Sequence, residues 1–361
     1  MDGGDKGLKS PLFRVVNKRT KKIQTECCAK SKEDDMIKRN LIKRVMAAGA
    51  IMAVTLSLAG CGIGGSSVKL GAAGVGGGYY AFFNAFAQIA SEEDEDLDFE
   101  VKATAGSSAN IRLLSDGYVD MAIAQADLVD AAYNGTGATD KKRYRGYSAV
   151  ASLYTEACQI VVRADSGIDS LDDLQGKKIS VGEEESGTQR NAEQILKMTG
   201  LVESLVDTVN LDYVDAANEL KSGQIDAFFC TAGIQTSVIE ELSKECDVKL
   251  IGIDDKCRDR LKSVYGFYTD YTIPAGTYEG QDQDVETLGI RAVLLARDDM
   301  DEEIVEKLTG LLFEHVQDIQ YSIALTFQID ESEAVKNVTI PFHDGAKAYY
   351  QEKGIEIPAE Q

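Results

Sequence analysis

An α/β fold of two lobes with a ligand cleft between them is what the sequence predicts, on three observations. From Val68 onward, short apolar or alternating runs that read as strands interleave with stretches whose apolar residues recur at helical spacing. One unit of this kind occurs twice: Ser115 to Ile123 matches Lys221 to Phe229, each a helix end, a glycine, two residues, an aspartate and an apolar strand. Loops rich in glycine and serine lead into helices in both halves, and open α/β sheets bind ligands at the carboxyl ends of their strands.

Size and charge narrow the field. The 361 residues, 44% of them hydrophobic, suffice for two cores of ordinary domain size. The net charge is -22, unevenly spread: the stretch to Cys61 holds 13 Lys and Arg against 6 Asp and Glu, leaving 25 basic and 54 acidic residues beyond it. A body of charge -29 lacks the basic face that nucleic acid requires, so nucleic acid is excluded as a partner.

The amino-terminal region reads as address rather than fold. Residues 1–35 are polar and basic without periodicity, an extension that is untranslated or disordered, and Met36 reads as the start. Lys38, Arg39, Lys43 and Arg44 precede an apolar run of 15 residues, Val45 to Ala59, short of the ~20 that span a bilayer. Leu58-Ala59-Gly60-Cys61 resembles the bacterial lipobox, which implies a signal peptide over 36–60, cleavage before Cys61 and lipid on its thiol. Residues 61–67 then form a flexible tether.

The opening element is the strand Val68–Leu70, the turn Gly71 to Tyr80 and a helix carrying Phe82, Phe83, Phe86 and Ile89. Glycine there allows close backbone approach and leaves N–H groups at a helix start, where anions bind. A dinucleotide site is disfavoured, because no acidic residue closes a second strand at the required distance. Ser91 to Asp98, with six acids in eight residues, reads as a solvated loop. A strand at Phe99 to Ala103 follows, then Gly106 to Asn110 opening a helix, with Ser107 or Ser108 as its cap. Val119–Gln125 is a buried strand, Asp127–Tyr133 a helix, and Ser148–Tyr154 and Gln159–Arg163 are two further strands.

The second half repeats the plan. Leu171–Leu174 is a helical turn and Lys178–Gly182 a strand; Glu183 to Thr188 forms a loop into a helix ending at Gly200. Val209–Val214 reads as a strand, Ala216–Leu220 as a helix, Ile225–Thr231 as a strand, Ser237–Leu242 as a helix and Val248–Ile253 as a strand. Asp301 to Tyr321 is one amphipathic helix with His315 beside its apolar face, and a short helix carries Tyr349 and Tyr350.

Catalytic and metal chemistry find little support. The two histidines lie far apart, no Cys-x-x-Cys pair or nucleophile elbow occurs, and no cofactor or metal is expected. Ser186 has no evident base and reads as a cap or anion donor. Cys246 and Cys257 are open to a disulfide or, like Cys158 and Cys230, to remaining buried thiols.

Several stretches together resemble the TAXI solute receptors of TRAP transporters across Val68 to Gly354. They are the opening Gly-Gly-Gly-Tyr-Tyr; Gly106-Ser107 with Asn110 to Leu114; Gly117 with Asp120; Gln125 and Asp127; and Leu153-Tyr154. Asp173 to Lys177, Ser186-Gly187-Thr188 with Asn191-Ala192, Gly223 to Ala227, Ala232-Gly233, Ile273 to Tyr278 and His343 to Ala346 continue the series. Where that family has a small residue and proline before Ser-Gly-Thr, this chain has Glu183, Glu184 and Glu185; where proline often follows Ala-Gly-x, it has Gln235.

The resemblance implies a type II periplasmic-binding-protein fold with crossover strands near 158–164 and 287–296. Lobe 1 would span 68–157, lobe 2 158–287, and 288–361 would return to lobe 1. It implies a lipid-anchored, monomeric, non-enzymatic receptor on the extracytoplasmic face of the cell membrane, passing a small organic anion or amino acid, glutamate-like, to a TRAP membrane subunit. An ABC-importer receptor is the nearest alternative and an enzyme using Ser186 a more distant one. The implied cleft residues are Gly76, Gly77, Gly78, Tyr79, Tyr80, Ser107, Asn110, Gln125, Asp127 and Tyr154 from one lobe, and Ser186, Gly187, Thr188 and Gly233 from the other. Helix N-termini and hydroxyls, Thr188 among them, are expected to hold the carboxylate. The three glutamates are expected to turn outward or to pair with Arg190 or a ligand amine, and the lobes to close on ligand.

Overall fold

Strand, turn and helix open each half of the chain, and two long strands carry the backbone from one half to the other. The computed structural model describes residues 67–358 apart from 138–140, 203 and 324–328. The extension, the signal peptide, Cys61 and the tether up to residue 66 lie outside the described residues. Lobe 1 runs β1 (Val68–Gly71), α1 (Gly78–Glu93), β2 (Phe99–Lys102), α2 (Ser107–Ser115), β3 (Met121–Gln125) and α3 (Ala126–Asn134). β4 (Tyr147–Arg163) crosses to lobe 2, which holds a 3-10 turn (Leu171–Leu174), β5 (Lys178–Ser180), α4 (Gly187–Thr199), β6 (Asp207–Val209), α5 (Tyr213–Ser222), β7 (Ala227–Ala232), α6 (Ser237–Glu245), β8 (Val248–Leu250), α7 (Asp255–Tyr265) and β9 (Thr269–Ile273). β10 (Val285–Arg297) returns, and α8 (Glu302–Glu314), α9 (Val316–Ser322) and α10 (Asp344–Glu352) complete lobe 1.

The strand order is β2-β1-β3-β10-β4-β7-β5-β6, with β8 on β4 and β9 on β10. In each lobe the first strand lies between the second and third in parallel, and a crossover strand joins the third antiparallel. This is the type II periplasmic-binding-protein arrangement. β10 pairs β3 through Ala292–Ala296 and β9 through Val285–Gly289, so the hand-over between lobes falls near residue 290. Opposite Ile290 stands Glu156.

The repeated unit performs the same task twice. Asp120 Oδ2 accepts the N–H of Lys69 on β1, and Asp226 Oδ2 accepts the N–H of Lys178 on β5, each at 2.9 Å. Gly117 and Gly223, both at φ 74°, end the preceding helices in the left-handed conformation that a glycine adopts without strain. An arginine closing a crossover strand reaches each unit: Arg297 donates to the Gly117 carbonyl and Arg163 to that of Leu220.

Core packing differs between the lobes. Lobe 1 buries one continuous cluster in which Phe82, Phe83 and Phe86 from α1 meet strand residues such as Leu70, Ile123 and Leu294. Each such aromatic contributes about 1.5–3 kcal/mol by leaving water. Lobe 2 divides its core by strand alternation: Ile160, Val162 and Phe229 face α4 and α7, whereas Val161, Phe228 and Cys230 face α5 and α6.

Several sequence expectations need correction. Ser148–Tyr154 and Gln159–Arg163 are one strand, because Thr155, Glu156 and Ala157 stay extended by pairing with Arg291, Ile290 and Gly289. The expected strand Val209–Val214 stops at Val209; Asp212 caps α5 by accepting the N–H of Asp215. Neither Ser107 nor Ser108 caps α2: Gly106, at φ 117°, holds that position, and Ser107 Oγ accepts the N–H of Gln125 instead. The acidic run is partly helical, since α1 continues to Glu93. The tail helix breaks at His315, whose ring faces Glu93 and Asp318. α7 and β9 were not anticipated. Cys158, Cys230, Cys246 and Cys257 are free thiols. Among the described residues no helix is long and apolar enough to cross a membrane.

Candidate ligand-binding site

The carboxyl ends of β3 and β7, the N-termini of α1 and α4, and the midpoint of β4 meet in one cleft between the lobes. Gly77 is the N-cap of α1, and the first helical acceptor serves Ala81, so the N–H groups of Gly78, Tyr79 and Tyr80 have no intrahelical partner. The turn packs closely: a Cβ on Gly76 would lie 3.2 Å from Val214 of the other lobe, and one on Gly77 3.1 Å from the Gly74 carbonyl of its own turn. Across the cleft, Ser186 caps α4 by accepting the N–H of Gln189 at 2.9 Å, which leaves the N–H groups of Gly187 and Thr188 in the same condition.

α2 spends its terminus differently. The N–H groups of Ser108 and Ala109 both donate to the Glu185 carbonyl of lobe 2, at 3.1 and 3.2 Å. Glu185 adopts φ 65°, an uncommon conformation for a residue with a side chain, and its carboxylate pairs with Arg112 rather than Arg190. Gly187 lies so close to lobe 1 that a Cβ there would fall 2.5 Å from the Gln125 side chain.

Glu156 is the most perturbed acid of the cleft. It is 2% exposed; Tyr79 donates its hydroxyl to Oε2 at 2.7 Å, and Gln125 Nε2 stands 3.5 Å from the same oxygen. Burial pushes its carboxyl up to about 8, against the opposing effect of the Tyr79 and Gln125 hydrogen bonds. Gln125 Oε1 is buried and has no hydrogen-bond partner. Glu183 also lines the cleft, its carboxyl raised by burial and then by Asp212. Among the described residues the lining side chains thus include three acids, Glu156, Glu183 and Asp212, and no Lys, Arg or His.

Lobe 2 binds its own polar groups together. Thr188 Oγ1 accepts the N–H of Thr231 and meets the Tyr213 hydroxyl, which donates to the Thr231 carbonyl. The Thr188 hydroxyl is therefore committed within the lobe, which corrects the expectation that it donates to ligand.

Of the residues expected in the cleft, Gly77, Gly78, Tyr79, Ser107, Gln125, Ser186, Gly187 and Thr188 come together there. The remaining six do not line it. Gly76 packs on lobe 2 beside Val214 and Val238, and Tyr80 lies one position further along α1. Asn110 is structural, its amide distributed over the Gly71, Ala72 and Ile123 carbonyls. Tyr154 sits in the lobe 1 core, its ring 6.3 Å from that of Phe82. Asp127 lines a separate cavity with Arg190 and Phe267, where burial pushes its carboxyl up to about 6. Gly233 follows the lining pair Thr231 and Ala232. Sequence reasoning missed Glu156, Asp212, Tyr213 and Thr231 as cleft residues. Among the described residues no group of three or more His, Cys, Asp or Glu is placed to hold a metal ion.

The profile of the NMT1-like family matches residues 70–354. Among solved structures, a protein from Bordetella bronchiseptica RB50 aligns with a TM-score of 0.50 at 17% identity, covering 80% of this chain and 98% of its own. The alkanesulfonate-binding protein SsuA from Xanthomonas axonopodis pv. citri, bound to MOPS, aligns at 0.44 and 14% identity, covering 73% and 81%. A mutant arginine-binding protein from T. maritima aligns at 0.45 and 12%, covering 72% and 93%. At these identities the likeness is one of fold.

Proposed function

The chain belongs to the NMT1-like family and has the architecture of an extracytoplasmic solute-binding protein; on that premise we propose that it captures a small carboxylate or amino acid, glutamate-like, and delivers it to a TRAP-type transporter. One observation carries the ligand class. A helix N-terminus from each lobe, α1 at Gly78–Tyr79 and α4 at Gly187–Thr188, opens on the same cleft with N–H groups that have no intrahelical partner. Such groups and the helix dipole favour an anion, and a donor from each lobe makes the anion a bridge that holds the lobes shut. The acidity of the body opposes this only at long range, since salt screens beyond about 8 Å. Ser186 serves as a helix cap and, among the described residues, no histidine lines the cleft beside it, which favours binding over hydrolysis.

Calorimetry of the mature protein with amino acids, dicarboxylates, sugars and divalent metals tests the ligand class. A carboxylate is the expected binder; tight binding of a sugar or a metal with no carboxylate bound overturns it. TRAP delivery rests on the sequence resemblance. Solute uptake driven by an ion gradient in vesicles carrying the TRAP membrane subunits supports it, and uptake that requires ATP hydrolysis places the receptor with an ABC importer. The lipid anchor rests on the Leu58-Ala59-Gly60-Cys61 stretch. Two acyl chains hold a protein stably at a bilayer, so Cys61→Ser should lose lipid label and leave the membrane fraction; continued labelling would refute the anchor.

A further inference from the structure

The cleft offers N–H donors on its helix-terminal sides and, on its floor, an amide oxygen that no protein donor meets among the described residues. Both hydrogen bonds of the Glu156 carboxyl go to Oε2, from Tyr79 and Gln125, leaving Oε1 with no protein donor. Gln125, also 2% exposed, keeps its Oε1 buried without a partner. A buried acceptor without a donor is costly, and the Gln125 amide oxygen beside a buried carboxyl, on a cleft that also holds Glu183 and Asp212, calls for a group rich in N–H. An ammonium group is such a donor: it has three N–H bonds, no acceptor and a positive charge. Resting on the solute-binding reading above, we propose that Glu156 and Gln125 form the ammonium seat of the cleft, so that the receptor takes amino acids in preference to the hydroxy or keto acids of the same skeleton.

The carboxylate of an amino acid would lie toward Gly78 and Gly187 and its ammonium toward β4, satisfying both signs of the cleft at once. The seat has a protonic consequence. Burial holds the Glu156 carboxyl up at about 8, so at pH 7 it is mainly neutral. An ammonium beside it favours the carboxylate, and the displaced proton passes to solvent while the ligand keeps all three of its own. The other titratable groups facing Glu156 are Tyr79 from α1, Asp127 from α3, Tyr154 and Cys158 on its own strand, Tyr213 from α5 and Cys230 from β7. Of these, only Asp127, at about 6, falls in the neutral range; the tyrosines and thiols are all raised and neutral.

The test is titration calorimetry of the mature protein with L-amino acids, their 2-hydroxy and 2-oxo counterparts, and glucose, in two buffers of different ionisation enthalpy. The expected result is an amino acid bound about 10- to 150-fold tighter than its hydroxy-acid counterpart, the range for a hydrogen-bonded charge. About one proton should be released at pH 7, and affinity should rise by up to about tenfold per pH unit from pH 6 toward 8, then level off. Glu156→Gln should abolish the proton release and the pH slope and bring the two ligand classes within about threefold of each other. The wild-type comparison of analogues and the proton count stand even if that variant folds poorly. A hydroxy or keto acid bound as tightly as the amino acid overturns the seat but leaves the solute-binding reading standing. So does amino-acid binding without proton release. Failure of every compound to bind overturns both.

Discussion

Lobe 1 and lobe 2 share a plan and divide the labour of the cleft. Each ties its first strand with an aspartate from the same Gly-x-x-Asp unit, and each receives an arginine from the end of a crossover strand. At the cleft they part. Lobe 2 ties the Thr188 and Tyr213 hydroxyls to each other and to the Thr231 main chain, whereas Gln125 of lobe 1, facing it beside Glu156 on β4, keeps a buried acceptor without a protein donor. The tied hydroxyls make this wall of lobe 2 a preformed clamp. The unsatisfied wall discriminates, because its groups find their partners only in a ligand.

The comparison can be sharpened first through Glu156, whose effect should be the largest. Its carboxyl stands at about 8 in the folded protein against an ordinary value of 4.5, so between those values the folded state holds a proton that the unfolded chain releases. Stability is therefore greatest at low pH and falls as pH rises through that window, at up to about 1.4 kcal/mol per pH unit. Asp127 acts in the same direction only below about 6. Urea unfolding at pH 6, 7 and 8 should show Glu156→Gln losing less stability than wild type over that range. Equal slopes would mean that Glu156 ionises freely and the wall is not under strain.

Gly187→Val should break the contact between the lobes while sparing both cores. Its Cβ would strike Gln125 only in the shut arrangement, so ligand affinity should drop by about 1–3 kcal/mol, the usual cost of overpacking, with thermal stability little changed. Undiminished affinity would show that closure does not require this approach. Thr188→Ala probes the clamp. It removes a partner from both the Thr231 N–H and the Tyr213 hydroxyl and should lower stability by about 1–2 kcal/mol, with a smaller effect on affinity. A loss confined to binding would make Thr188 a direct ligand donor. Arg112→Ala should matter least. The Arg112–Glu185 bridge joins the lobes, but its side chains are 37% and 45% exposed, so its removal should change affinity by about 0.2–1 kcal/mol, fading with salt.

The order of elements was legible because it rests on local signals: glycine turns, period-two strands, and helices with an apolar face; the crossover topology came only from the family resemblance. The Gly-x-x-Asp echo marked the two lobes, and the structure adds that its aspartate ties the first strand in each. The floor of the cleft was not legible. Glu156 fell in the gap between two expected strands, although the single charged residue in the run from Tyr147 to Val162 is itself a signal. Tyr213 was hidden because Val209 to Val214 alternates like a strand; Asp212 with Asp215, a cap and a first-turn acid, pointed to a helix start. Asp127 stands two residues from Gln125, yet the strand ends between them and the helix carries Asp127 to another cavity. Asn110 looks like a ligand donor in sequence, and only the three-dimensional fold brings three carbonyls to its amide.

Ser108, Ala109 and Glu185 join the lobes through main-chain atoms alone, a latch that side-chain substitution cannot delete. Such a bond favours the shut form whether or not cargo is aboard, by about 1 kcal/mol each. A protein shut without ligand would have its cleft closed to the ligand it binds. Shutting also buries the Gln125 acceptor without a donor, at a cost of about 1–3 kcal/mol that is of the same size and opposite sign. The two contributions nearly cancel, so the unloaded receptor is poised rather than locked. A ligand that supplies the missing donor removes the opposing one, and the latch then holds the lobes shut around it.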